Sequence, residues 1–323
     1  MMVGDMVNEK QKGLAYSIQS FLCNAGSLVG FLFPFIFTWI GISNIAPQGV
    51  VPDSVIYSFY IGAAILILCV IYTTVKVKEM PPAEYAEYHG ITEEEEKEKI
   101  NMVKLLVKAP KAFWTVGLVQ FFCWFAFMFM WTYTNGSVAA NVFDAPTVET
   151  VVNGVSKVML DTKSIQYQDA ADWVGVLFAV QAIGSVLWAI CIPMFKDRRF
   201  IYALSLVLGG IGFISTYFVH SQYVLFISFL LIGCAWAAML ALPFTILTNA
   251  LSGGHMGTYL GLFNGTICIP QIVAAALGGS ILALFTPKGM LPPEINMLVM
   301  AGVMLIIGAA CVYLIKETKG ERP

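Results

Sequence analysis

Residues 112–143 read AFWTVGLVQFFCWFAFMFMWTYTNGSVAANVF, 32 positions without one Asp, Glu, Lys or Arg. At about 1.5 Å of rise per residue such a run makes a helix of roughly 48 Å, more than the ~30 Å hydrocarbon core of a bilayer requires. Similar charge-free runs extend over Leu14 to Ile42, Val55 to Val75, Val174 to Phe195, Phe200 to Val219, Tyr223 to Leu251, Met256 to Pro287 and Ile295 to Ile315. With 58% hydrophobic and 12% charged residues and a mean hydropathy of +0.77, the composition departs from that of a soluble domain. Lipid offers backbone N–H and C=O groups no partner, so each run must satisfy its own as a helix. The sequence therefore describes an all-α polytopic membrane protein with about eight transmembrane helices, kinked at Pro34, Pro243 and Pro270.

The basic residues set its orientation, because short cytoplasmic loops accumulate Lys and Arg. Of the 18 in the chain, only Lys157, Lys163 and Lys288 fall between spans on one side. The others, among them Lys76, Lys111, Lys196, Arg198, Arg199 and Lys316, fall on the opposite side. Both termini are expected in the cytoplasm, and the protein in the cell (inner or plasma) membrane. The net charge of -2 is divided between two faces of a membrane and points to no nucleic-acid partner. All seven cysteines lie inside charge-free runs, where they read as small packing residues. No metal-ligand cluster and no nucleophile beside a base is seen, so neither a metal site nor an enzyme is expected.

A polar segment interrupts the helices from Lys76 to Lys111. It contains Pro81-Pro82 and the run Glu93-Glu94-Glu95-Glu96-Lys97-Glu98-Lys99. Three regions follow: residues 1–79 with two spans, a cytoplasmic linker at 80–111, and a six-helix bundle at 112–323. The linker reads as a solvated connection, or as a regulatory segment.

At 100° per residue, Gln120, Trp124, Trp131 and Asn135 fall within one narrow stripe. Buried amides need partners, and a stripe joining amides to indoles suits a sugar, whose hydroxyls hydrogen-bond while its C–H faces stack. Helix packing is the competing reading. Gln181, Gly184, Ser185 and Trp188 share a face that reads as packing, and so do Gly257, Gly261 and Gly265. Asn264 and Gln271, beside that glycine stripe, are further cavity candidates. Because no span carries a charge, the cavity is expected to meet a neutral ligand. Asp144 and Asp172, at span ends, are the nearest carboxylates noted.

Several motifs resemble the sucrose and maltose type of proton-coupled sugar transporter in the major facilitator superfamily. Gly233-Cys234-Ala235-Trp236, Ala241-Leu242-Pro243-Phe244 and Gly261-Leu262-Phe263-Asn264 with Ile269-Pro270-Gln271 look like that family's tenth and eleventh helices. Trp124 to Phe143 looks like its seventh. Lys196-Asp197-Arg198-Arg199 resembles its signature between helices eight and nine, with a degenerate glycine pattern, and Asp5 with Lys12-Gly13 resembles the turn after its fourth.

The resemblance implies secondary active transport of a neutral, disaccharide-like sugar by alternating access, coupled to a proton and with no other cofactor. It adds Trp236 to the sugar-site candidates and makes Asp197 and Arg198 gate residues. Twelve helices are the family's number, so the chain would hold helices five to twelve, and a missing N-terminal helical segment would be a partner along with the sugar and the lipid. Alone, it would then be unable to accumulate sugar. The alternatives are a transporter-derived binding or regulatory protein, or an inactive truncated fragment. The topology is testable: a reporter active only in the cytoplasm should give signal when fused near Glu95 and none at Thr162, and reversed signals would invert the assignment.

Overall fold

The computed structural model describes residues 11–42, 51, 53–77, 81, 84, 102–152, 155–251 and 256–315. Asp5, the acidic centre of the 80–111 linker and the stretch Lys316 to Arg322 lie outside the described residues. The described residues are helical almost throughout: α1 Lys12–Trp39, α2 Asp53–Lys76, α3 Met102–Val107, α4 Lys111–Asn141, α5 Ile165–Cys191, α6 Arg198–Ser215, α7 Leu225–Ala250, α8 Met256–Phe263, α9 Gly265–Phe285 and α10 Ile295–Val312. Among the described residues seven spans are long and apolar enough to cross a membrane, α8 and α9 counting as parts of one. The first helix, α1, contributes the shorter apolar stretch Phe21–Phe33. Pro243 and Pro270 lie inside α7 and α9, where the loss of one backbone donor is tolerated within a bundle.

Packing organises α4 to α10 into one body. The long helix α4 lies along α10 and α9, α7 lies between α5 and α6, and α6 also packs on α10. Against this body α1 rests on α5 and α7, and α2 packs on α1 with almost all its side chains exposed. The interior is aromatic: Tyr202, Phe127, Phe129, Phe213 and Phe229 are among its largest fully buried side chains.

Glycines decide where the helices approach most closely. A Cβ on Gly184 of α5 would come to 2.6 Å from the Leu230 carbonyl oxygen of α7, and one on Gly233 would strike the Gln181 carbonyl and the Ser185 N–H in return. On the other side of the body, a Cβ on Gly210 of α6 would lie 2.9 Å from the Gly302 carbonyl of α10, and the reverse distance is 2.7 Å. Both crossings bring backbone against backbone, as small residues permit in membranes. The stripe read as a packing groove behaves differently. At Gly261 an added Cβ meets nothing within 4 Å, and at Gly265 it meets only Ile269 of the same helix, at 3.8 Å.

Among the described residues one element departs from helix. Strands β1 (Thr147–Val152) and β2 (Val155–Leu160) form an antiparallel hairpin between α4 and α5, with Val152 opposite Val155 and Thr147 opposite Leu160. Asn153-Gly154, between them in the sequence, lie outside the described residues; as a sequence they are the pair most favoured between hairpin strands.

Replacing Gly233 by Ala should destabilise the fold by about 1–3 kcal/mol, since backbone must move to admit the methyl group. Gly261→Ala should be neutral or stabilising by up to ~1 kcal/mol through helix propensity. Thermal unfolding of the two variants in the same detergent compares them directly.

Candidate functional site

The closest gathering of site residues lies where α4 faces α7. Trp124 and Trp131, seven residues apart on α4, both reach Trp236 of α7. Their ring centroids lie 5.8 Å and 5.7 Å from it in edge-on arrangements, and 6.4 Å from each other. Phe127 backs the group, 4.9 Å from Trp236, and ties it to Phe213 of α6 at 5.8 Å. Edge-on geometry places the positive rim of one ring on the negative face of the next and fixes each indole's orientation. Trp124 is buried, Trp236 is half-buried, and Trp131 is 42% exposed, so the cluster presents one open ring.

One turn beyond Trp131 stands Asn135. Its Nδ2 donates to the Tyr167 hydroxyl of α5 at 2.9 Å, while its Oδ1 is buried without a hydrogen-bond partner. The indole Nε1 of Trp124 is likewise buried and unpartnered. An orphaned donor and an orphaned acceptor therefore belong to residues on either side of Trp131 along α4, each at a cost of about 1–3 kcal/mol unless a ligand or water engages it. The C-terminal half of α4 has a further feature. Thr134 and Ser137 donate back to the carbonyls of Met130 and Tyr133, each at 2.6 Å, and Asn141 donates to the Ser137 carbonyl at 2.8 Å.

Gln120 lies apart from this opening. It is fully buried, its Nε2 donates to the Met239 carbonyl at 3.3 Å, and its Oε1 accepts from the Tyr202 hydroxyl at 3.4 Å. Its amide joins α4, α6 and α7, a helix-packing role. Asn264 is exposed at the break between α8 and α9, and Gln271 is half-buried further along; neither side chain makes a hydrogen bond among the described residues.

At the opposite end of the bundle Asp197 caps α6. Its Oδ1 accepts from the N–H groups of Arg199 at 2.9 Å and Phe200 at 3.1 Å, which places a negative charge at the positive end of the helix dipole. Arg198 is exposed. Arg199 is the residue that ties two helices: its Nη1 donates to the Ile315 carbonyl just past α10, at 3.4 Å. Among the described residues no group of three His, Cys, Asp or Glu could hold a metal ion.

The sequence model of the Major Facilitator Superfamily matches residues 1–160 and again 138–323, between them the whole chain. The chain belongs to the major facilitator superfamily. It is thus a transporter-family membrane protein, an all-α bundle with seven spans long and apolar enough to cross a membrane among the described residues. Among curated proteins none matches it significantly.

Some residues of this region escaped sequence reasoning. Tyr167 begins a helix and gave no periodic signal before α5 was placed. Glu294 stands one residue ahead of the charge-free run at Ile295, so a count of charges within spans passes over it. The structure lodges its carboxylate directly over Gly136 of α4.

Accessibility separates the two kinds of position on α4. In a background freed of native cysteines, Trp131→Cys should react readily with a small hydrophilic thiol reagent, while Gln120→Cys should stay inert until the protein unfolds. Equal rates at the two positions would contradict the geometry described.

Proposed function

We propose that this chain serves the transport of a neutral, disaccharide-like sugar, with a proton as the coupling ion, by alternating access within a cell membrane and with both termini in the cytoplasm. The observation that carries the reading is the open Trp131 ring within the Trp124–Trp131–Trp236 cluster, together with the unpartnered Trp124 Nε1 and Asn135 Oδ1. A pyranoside is suited to such a surface. Its axial C–H groups lie flat on an indole face, and its hydroxyls both accept and donate, so one ligand can satisfy a free N–H and a free amide oxygen together. A charged ligand is disfavoured, since no Asp, Glu, Lys or Arg lies in 112–143 or 223–251, the runs that build the cluster. Trp124, Trp131, Asn135 and Trp236 are the contact residues in this reading, with Tyr167 orienting Asn135.

Asn264 and Gln271 join the site when the bundle moves, and their unbonded amides leave them free for hydroxyl contacts. We assign the loop that carries the Asp197 cap and the Arg199 tie, with exposed Arg198, to the gate. Lipid surrounds the exposed apolar faces of α1, α2 and α9 in this reading.

Titration of the purified chain with sucrose or maltose, followed by tryptophan fluorescence, tests this reading. Saturable change is expected with the neutral sugars and none with a charged sugar acid. Asn135→Ala should weaken binding about five- to tenfold, the value of one hydrogen bond, and Trp131→Ala by a similar factor. No response to any neutral sugar, in protein that retains its fold, would refute the sugar assignment.

A further inference from the structure

The second feature of α4's C-terminal half is the Glu294 carboxylate. Gly136 leaves a notch in α4 in which a Cβ would overlap the Glu294 carboxylate, with Oε1 at 2.8 Å from that position. Glu294 is half-buried, and among the described residues its side chain has no ion-pair or hydrogen-bond partner. Burial alone pushes its carboxyl up from 4.5 to about 7. The neighbouring void, lined by Ser137, Asn141, Thr216 and Ile295, has room for about one water molecule.

The charged and titratable groups near this end are few. On α4 the Tyr133 ring is the group that senses Glu294 electrostatically, and its hydroxyl faces Gly278 of α9. Asp144, just beyond α4, is exposed. His220, between α6 and α7, bonds the Asn141 carbonyl through Nδ1 at 3.3 Å, and Lys288 lies on the same connection as Glu294, exposed. The spanning segment of α10 has no acid or base of its own other than Cys311. None of these neutralises the carboxylate through an ion pair among the described residues.

We propose that Glu294 is a proton-binding site, protonated while the C-terminal end of α4 and the N-terminal end of α10 are closed on each other and deprotonated when they part. A neutral carboxyl fits the Gly136 notch at little cost. An ionised one loses hydration there without gaining a cation, so opening the notch to water lowers its proton affinity and the proton leaves to solvent. Gly136 follows Asn135 directly, so one turn of α4 carries both the notch and the amide assigned to the sugar. Ligand contact at Asn135 and proton occupancy at Glu294 thereby act on the same few residues. That link to transport rests on the sugar reading above, whereas the proton site does not.

The sign of the stability effect follows from linkage. A carboxyl whose folded-state pKa lies above its unfolded value contributes stability at pH values below the unfolded one and loses it as pH rises through the folded one. For Glu294 this window runs from 4.5 to about 7. Thermal unfolding of the detergent-solubilised chain is therefore measured from pH 4.5 to pH 8 for wild type, Glu294→Gln and Gly136→Ala. The neutral Gln should remove this pH-dependent loss. At pH 8, with the difference at pH 4.5 subtracted, its unfolding constant should be smaller than that of wild type by at least about tenfold, the equivalent of one pKa unit.

Gly136→Ala, which fills the notch and expels the carboxylate, should also flatten the profile, and it keeps the test open if Glu294→Gln fails to fold. Parallel profiles for all folded variants would overturn the proposal. Flattened profiles in a protein that binds neither sucrose nor maltose would uphold the proton site and sink the sugar reading. Sugar binding whose pH dependence is unchanged in Glu294→Gln would overturn the link between the two sites.

Discussion

Backbone meeting backbone at Gly184 with Gly233, and at Gly210 with Gly302, is the constraint on which the arrangement of α5, α6, α7 and α10 rests. In lipid there is little hydrophobic drive for apolar helices to associate, so close approach and van der Waals contact must supply it. The two glycine crossings fix α7 against α5 and α10 against α6. With α10 so placed, α4 can lie along it, and Trp124 and Trp131 are carried to Trp236. A side chain at any of the four glycines would push apart helices whose spacing positions the aromatic cluster.

Much of this was legible in the sequence because lipid imposes strong rules. Charge-free runs located the spans, and the 100° projection put Trp124, Trp131 and Asn135 on one face of α4, the face whose two indoles meet Trp236. The projection gives the direction of a side chain and not its company, which is why Gln120 fell into the same stripe although Met239 and Tyr202 occupy both ends of its amide. A glycine stripe has the same weakness. Gly257, Gly261 and Gly265 have the spacing of a groove, yet Gly261 faces open space, and only the fold distinguishes it from Gly233.

The hairpin was a different kind of omission. Asn153-Gly154 between two runs rich in valine is a direct turn signal, but a reading organised around spans treats everything between them as loop. Glu294 was passed over for a related reason, since a boundary drawn at Ile295 excludes the carboxylate immediately before it. The boundaries of apolar runs are where polar groups meet the half-dry ends of helices, and chemistry concentrates there. Arg199, bonded to the carbonyl just beyond α10, illustrates this at the other end of the bundle.

The back-bonded side chains of α4 carry a mechanical consequence. Thr134, Ser137 and Asn141 each bond a carbonyl four residues earlier, so that carbonyl is shared between its helical N–H and a side chain. Such sharing loosens the ladder and bends helices. Thr132 bonds the Met128 carbonyl in the same way and Thr115 that of Lys111, so the shared carbonyls of α4 are most closely spaced from Met128 to Asn141, and bending strain applied to the helix collects there.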